Sequence, residues 1–473
     1  MRDKRVHDVV TSFINMQSNR RRLLGGAAAL GAAGMVRPFG AFAQDSTPAP
    51  VNTNPLGVDP AAPLDVVIFK GGYGDDYAIY VNDSMYSRDF PDAQITYAGI
   101  QRLGEQLQPR FVAGEPPDVI DNSGAGNLDQ AALVADGQLA DLADLMAAES
   151  YDTPGMSFGE TLLSGSQETA AYDGVQLGLN YVVSVQGMWY NKNWMEEKGY
   201  TYPKTWTEMM DLSAEIKAQG IAPWLTTGVH PQYMLGFVFN QMLWKHDPQA
   251  IINIDNLEDD AWKSDSVRTV LEALYQLAEN DYIGSGWEGL DHTQSQAEWL
   301  QGKAVFLPCG SWLENEMAGL IPEGFDMVIA PTPSLDGDQV PFEGIFAGAG
   351  ETFIVPSQGK NVQGGKEWLR MLFSKEGGRV FSELTKSLTV VNGSADEVEF
   401  GIPTTSVKDA LAAAGDNTFQ SRYGTWYTDL QNEAKLQMAS LLQKQISVED
   451  FMNNVQDAAD MVKDDDAIVK RTR

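Results

Sequence analysis

The stretch Leu64-Asp65-Val66-Val67-Ile68-Phe69-Lys70-Gly71-Gly72-Tyr73-Gly74-Asp75-Asp76 sets the pattern of the chain. A β-rich run stops at a glycine pair and leads into acidic residues suited to the first turn of a helix. Outward from it, short apolar runs at 94–97, 118–120, 188–190, 305–307, 327–330 and 352–355 predict further strands. Between them lie helical signals. Thr205-Trp206-Thr207-Glu208 is a capping box, in which the Thr hydroxyl accepts from the amide three residues on and Glu208 reaches back. Met209, Leu212 and Ile216 follow at helical spacing, and Gly220 supplies a stop. Val267, Val270, Leu271, Leu274 and Leu277 mark a second amphipathic helix, and Trp368, Leu369 and Leu372 a third. Leu430, Ala434, Met438 and Leu441 mark a fourth, and Phe451, Val455, Ala458 and Val462 a fifth. Strands alternating with helices at this length predict an α/β fold with largely parallel sheets, packed as two lobes rather than one giant sheet.

The segment before this region has a different character. Residues 1–22 are polar and basic and end in Ser18-Asn19-Arg20-Arg21-Arg22-Leu23-Leu24. A soft apolar run of Leu, Ala and Gly follows, then Ala41-Phe42-Ala43 as a small-x-small cleavage site. This is the layout of an export signal over 1–43, too short in its apolar part to span a bilayer. The arginine pair followed by two leucines resembles a twin-arginine signal; an Arg-rich general secretory signal is the alternative. Residues 44–63, rich in Pro, Thr, Asn and Ala, are expected as a flexible linker.

Charge excludes several functions. The 473 residues carry 33 Lys and Arg against 65 Asp and Glu. Seven of the basic and two of the acidic residues lie in 1–43, which leaves 26 and 63 beyond it, a net charge of −37. Phosphate backbones and anionic membranes need the opposite sign, so no nucleic-acid partner is expected. Cys309 is the single cysteine, which excludes an internal disulfide or a multi-thiolate metal site. Beyond residue 43 the histidines are His230, His246 and His292, and none stand at metal-ligand spacing, so no metal is expected.

Enzyme motifs fare poorly. Gly155-Met156-Ser157-Phe158-Gly159 has the letters of a nucleophile elbow, but the polar, proline-terminated stretch before it is no strand. Gly72-Tyr73-Gly74 lacks a third glycine and runs into two carboxylates that would repel a pyrophosphate. No GxxxxGK[ST] loop exists. No catalytic residue and no cofactor are therefore expected. A glycosidase carboxylate pair is available on numbers alone, and with 63 acids that carries little weight.

A resemblance adds to this reading. Asn54-Pro55-Leu56-Gly57-Val58, the stretch 67–77, Gln108-Pro109-Arg110-Phe111 and 116–125 resemble the extracellular solute-binding proteins of carbohydrate ABC importers. Tyr202-Pro203-Lys204-Thr205-Trp206, Gly220-Ile221-Ala222-Pro223-Trp224, Gly289-Leu290-Asp291-His292, 308–317, Ala330-Pro331-Thr332-Pro333-Ser334 and Ser387-Leu388-Thr389-Val390-Val391 extend it along the whole chain. Within that class the chain is similar to the N-acetylglucosamine/diacetylchitobiose-binding subfamily. It departs from many relatives in lacking a lipid-acceptor cysteine near the cleavage site. The resemblance implies a two-lobed periplasmic-binding-protein fold of type II, maltose-binding-protein-like, with a hinge and an interlobe cleft. It implies lobe one from 64–182 plus 328–391, lobe two from 183–327 plus 392–465, and a tail at 466–473. It further implies a non-catalytic, extracytoplasmic, monomeric protein whose partners are a carbohydrate, the permease subunits and, through them, an ATPase.

Sugar recognition needs flat rings to stack on pyranose faces and planar polar groups for the hydroxyls. In open α/β sheets the ligand sits beyond the carboxyl ends of strands. Tyr73, Asp75 and Asp76 follow the first strand, with helix capping as the competing role for Asp76; Asp121, Asn122 and Ser123 follow the strand at 118–120, with an Asx turn as the competing role. Trp312, after Gly310, resembles the second-lobe stacking tryptophan of oligosaccharide-binding relatives. Further candidates are Trp224, His230, Tyr233, Asn180, Gln186, Glu351, Arg422 and Trp426, of which Trp224 and Trp426 suit a core equally well. The leading expectation is capture of N-acetylglucosamine or chitobiose-type oligosaccharides. The alternatives are another sugar, a secreted glycoside hydrolase or a sensor subunit.

Overall fold

The computed structural model describes residues 53–124 and 126–473; the expected export signal at 1–43 and residues 44–52 lie outside the described residues. The strands are β1 (Leu64–Phe69), β2 (Ile95–Ile100), β3 (Val119–Asp121), β4 (Ala171–Tyr172), β5 (Val175–Gln176), β6 (Leu179–Asn191), β7 (Ala222–Trp224), β8 (Ala304–Gly310), β9 (Met327–Ala330), β10 (Ile345–Ile354), β11 (Leu388–Thr389) and β12 (Thr418–Phe419). Their lateral order is β2-β1-β3-β10-β6-β8-β7; β9 and β11 also pair with β6, β12 with β10, and β4–β5 form a separate hairpin.

Parallel pairing joins β1 to β2 and β3 and β7 to β8 towards the ends of the sheet, and the short β12 to β10. Through its middle, β10 runs antiparallel to β3 and β6, and β6 antiparallel to β8. This corrects the expectation of largely parallel sheets. β6 and β10 are long strands shared by two hydrophobic cores, and they pair directly rather than through crossover helices.

The first core gathers Val66, Ile68, Tyr77, Trp368, Leu369, Phe381 and Val390 on one face of β1, while Val67 faces a smaller cluster with Leu103, Leu107, Ile120 and Ile354. β1 is thus covered on both faces, which explains its continuous apolar run. The second core collects Met188, Trp189, Met209, Ile216, Trp224, Leu274, Phe306, Leu430, Met438, Phe451 and Val455. The chain changes core within β6, between Val182 and Val185, within β10, between Ala347 and Ala349, and again between Val391 and Val407. The return to lobe one expected at 328 is therefore displaced. β9 pairs with Met188 to Asn191 of β6, and Met327 and Ile329 belong to the second core.

The expected linker ends earlier than 63. Asn54 clasps Val58, accepting its amide at 2.8 Å and donating to its carbonyl at 3.0 Å, and Val58 is buried in the first core. The capping box forms as read, with Glu208 N donating to Thr205 Oγ1 at 3.2 Å and Thr205 N to Glu208 Oε2 at 3.1 Å. Gly220 ends that helix at φ 80°, a conformation that favours glycine.

Candidate functional site

The two cores meet along a seam lined by the ends of β1, β3, β8 and β10. On the first-lobe side, Asp121 closes β3 and is fully buried; Tyr77 Oη donates to its Oδ2 at 3.1 Å. Beside it, Glu351 sits in β10 with φ 53°, in the left-handed region that a side chain rarely adopts. Ser123 Oγ accepts from the amide of the next residue, Thr352, at 3.0 Å. Burial pushes the Asp121 carboxyl up to about 7, against hydrogen bonds from Ser123 and Tyr77 that favour its charged form. Burial, and then the Asp121 charge, push Glu351 well up too. Two neighbouring carboxyls, one fully buried and one half-buried, cannot both ionise freely. Tyr73 packs on Phe381 with its hydroxyl sealed from solvent, and burial, Glu351 and Glu316 all raise it.

On the second-lobe side, Trp312 is half-buried just beyond β8. Phe237 and Tyr233 meet its ring edge-on, at 5.7 Å and 6.3 Å between centroids, and fix its plane. Behind it, helix Leu313–Glu316 delivers Glu316, whose Oε2 accepts from Gln296 Nε2 at 2.6 Å and whose Oε1 lies 3.4 Å from His292 Nε2. Burial alone would lower His292, but the Glu316 hydrogen bond and charge outweigh it and raise the imidazole. His230, 5.1 Å away between ring centroids, is lowered by burial and then by the His292 charge. Cys309 lies fully buried in β8, with Gln296 Nε2 3.6 Å from its sulfur.

The lobes touch across this seam. Asn315 Nδ2 donates to the Gly72 carbonyl, and a Cβ on Gly72 would stand 2.8 Å from Glu316 Cγ. Glycine at 72 is what lets the loop after β1 approach so closely.

The sequence-derived candidates divide accordingly. Tyr73, Asp121, Ser123, Tyr233, Trp312 and Glu351 come together at the seam, with His230 at its edge. Gln186 is half-buried where β6 is flanked by Phe346 and Gly310. Others make contacts within the protein. Asp75 is buried and takes the Lys70 ammonium at 2.9 Å and the Tyr97 hydroxyl at 2.9 Å, contacts that tie it to its own lobe. Asp76 is exposed in the first turn of helix Asp76–Tyr80. The Asn122 amide closes the 122–128 loop through both directions of bonding with Leu128, at 2.8 Å and 3.1 Å. Asn180 is spent on Thr169 at 2.8 Å and Thr352 at 2.7 Å. Trp224 is a core residue, buried against Trp206 and Phe306. Arg422 pairs with Glu168 at 3.4 Å and lies over Trp426 at 5.8 Å; Trp426 packs on the second core. Glu316, Gln296, Asn315 and His292 join the site although sequence reasoning did not single them out. Among the described residues no three His, Cys, Asp or Glu side chains converge as a metal site.

This architecture has known counterparts. Residues 71–379 match the family model described as bacterial extracellular solute-binding protein. The chain belongs to that family. The binding protein is 31% identical over 420 residues to "Diacetylchitobiose binding protein NgcE" of Streptomyces coelicolor, an alignment covering 88% of both chains. It is 27% identical over 276 residues to a "Probable sugar-binding periplasmic protein" of Mesorhizobium japonicum, covering 58% of this chain and 62% of that one. A solved "Chitin oligosaccharide binding protein" superposes with a TM-score of 0.69 at 18% identity, over 85% of this chain and 99% of that one, a likeness of fold. The family is one of solute-binding proteins, so this is a binding protein of the maltose-binding-protein-like α/β fold and not an enzyme. No helix among the described residues is long and apolar enough to cross a membrane.

Proposed function

We propose that this solute-binding protein is the sugar-capturing subunit of an ABC importer, and that its ligand is N-acetylglucosamine or a short β-linked chitobiose-type oligosaccharide. The observation that carries the substrate is the likeness to a diacetylchitobiose-binding relative along 88% of both chains. The site chemistry fits a neutral sugar. Trp312 offers a braced ring face for a pyranose, while Asp121, Glu351 and Glu316 offer acceptors for its hydroxyls. Closure of the lobes over the sugar would present the loaded shape to two permease subunits and their ATPase. The basic segment with Arg20-Arg21-Arg22 acts in this reading as a twin-arginine export signal that delivers a folded monomer beyond the cytoplasmic membrane.

Calorimetric titration with N-acetylglucosamine, diacetylchitobiose, and plain gluco- and malto-sugars tests this. The expected result is saturable binding of an N-acetylated sugar, a raised Tm and no hydrolysis product. Binding of a plain sugar alone would move the ligand elsewhere in the class. Release of monomer from chitobiose would overturn the non-catalytic reading.

A further inference from the structure

A second set of contacts joins the lobes away from Trp312, and it pairs opposite charges. The first lobe contributes Asp129, Glu168 and the hairpin residues Tyr172 and Asp173; the second contributes Arg422, Thr428 and Arg471. Arg422 Nη2 lies 3.4 Å from Glu168 Oε2, and Thr428 Oγ1 donates to Asp129 Oδ2 at 3.2 Å. Arg471 Nη1 lies 3.4 Å from Asp173 Oδ1, and its guanidinium stands 4.6 Å over the Tyr172 ring. Tyr172 is buried and the Arg471 side chain is only 10% exposed. The stacking contact is therefore largely dry, unlike an ordinary surface ion pair.

Arg471 reaches this position because the tail expected at 466–473, after helix Val448–Asp464, is strapped to the second lobe. Tyr427 Oη accepts from the Arg471 amide at 2.8 Å and donates to its carbonyl at 3.2 Å. Two residues on, Arg473 Nη2 lies 2.8 Å from Asp255 Oδ2, whose side chain is fully buried. Asp255 Oδ1 also accepts the amides of Arg422 and Tyr423 at 2.8 Å and 2.7 Å. One buried carboxylate thus holds both the strap and the loop that carries Arg422.

We propose that Arg471, with Arg422 beside it, is an interlobe clasp: a pair of positioning residues that stabilise the closed arrangement and so raise the affinity for a ligand they do not touch. The clasp is formed in the same conformation in which Asn315 meets Gly72 across the seam. Apparent affinity scales with the fraction of molecules in the binding-competent arrangement, so loss of the clasp lowers affinity without altering the site. The inference rests on the two-lobed capture reading above.

The test uses the exported chain and its Arg471→Ala, Arg471→Lys and Asp173→Asn variants, titrated with diacetylchitobiose at low and high salt. Arg471→Ala is expected to weaken binding about three- to tenfold. Asp173→Asn should do so less, and Arg471→Lys should recover part of the loss because it keeps the charge but not the flat stack. Wild-type affinity should fall with salt, and that of Arg471→Ala should fall less, because only the Arg422–Glu168 pair remains to be screened. A neutral sugar brings no salt dependence of its own, so the slope reports the clasp. Equal affinities of wild type and Arg471→Ala across salt overturn the proposal. If no chito-sugar binds the wild type, the substrate reading fails, and the clasp is judged on small-angle scattering of ligand-free protein. A larger radius of gyration for Arg471→Ala supports the clasp, and superimposable curves refute it.

Discussion

On the first lobe the seam is lined by the Asp121 and Glu351 carboxyls and the Tyr73 hydroxyl; on the second it is Trp312, braced by Tyr233 and Phe237, with Glu316 behind. The first surface is directional and expensive to bury, since the fully buried Asp121 carboxyl and its half-buried neighbour Glu351 repel each other when both are charged. The second is broad and inexpensive to bury, since edge-on aromatic neighbours fix the Trp312 plane without unsatisfied polar atoms. Under the proposed sugar-capture reading the contrast gives the lobes different work. In that reading the carboxyl oxygens would orient a hydroxylated ligand and the Trp312 ring would supply contact area.

Three substitutions put that division under strain. The largest effect is expected from Trp312→Ala, which should cost about 30- to 100-fold in sugar affinity by calorimetry while leaving the unliganded Tm nearly unchanged. Unaltered affinity would mean that the second lobe does not stack the ligand. Glu316→Gln comes next, with affinity falling about three- to tenfold. It should also remove the Glu316 hydrogen bond and charge that raise His292, so the His292 pKa followed by NMR should drop. A constant His292 titration would break the proposed link between the two.

The smallest effect concerns the first lobe and its pH dependence. Asp121 is raised from the ordinary carboxylate range, about 4, to about 7. A raised carboxyl contributes stability that is fully present below its unfolded pKa and lost as pH rises through the folded one. Asp121→Asn keeps an acceptor for Tyr77 and removes the charge. Its Tm should match wild type near pH 4 and exceed it by about 2–5 °C near pH 8. A variant less stable than wild type at high pH would show that the ionised carboxylate is needed.

Much of the fold was legible because its signals are local. The β1 run, the Thr205–Glu208 capping box and the spacing of Val267 to Leu277 depend on neighbours a few residues away. β6 was read only as 188–190, because Asn180, Ser184, Gln186 and Gly187 interrupt its apolar pattern. Those polar residues face a ladder shared by two cores, and no local pattern announces such a strand. The site divides along the same line. Trp312 and Tyr73 stood out as aromatics just beyond strand ends. Trp224 looked alike by that test, yet Trp206 and Phe306 enclose it. For Asn122 the competing turn role is the local one, since its amide closes on Leu128 six residues on, whereas the Asn180 partner Thr352 lies far along the chain and leaves no local signal. Glu316 escaped notice for the converse reason. It is one acid among many until the fold sets it beside Gly72, Gln296 and His292.

The most direct test of the central claim is a crystal structure of the protein with diacetylchitobiose. The account predicts a pyranose face against the Trp312 ring, with sugar hydroxyls or the acetamide on Asp121, Glu351 or Glu316. A sugar bound away from Trp312 and from these carboxyls would contradict it.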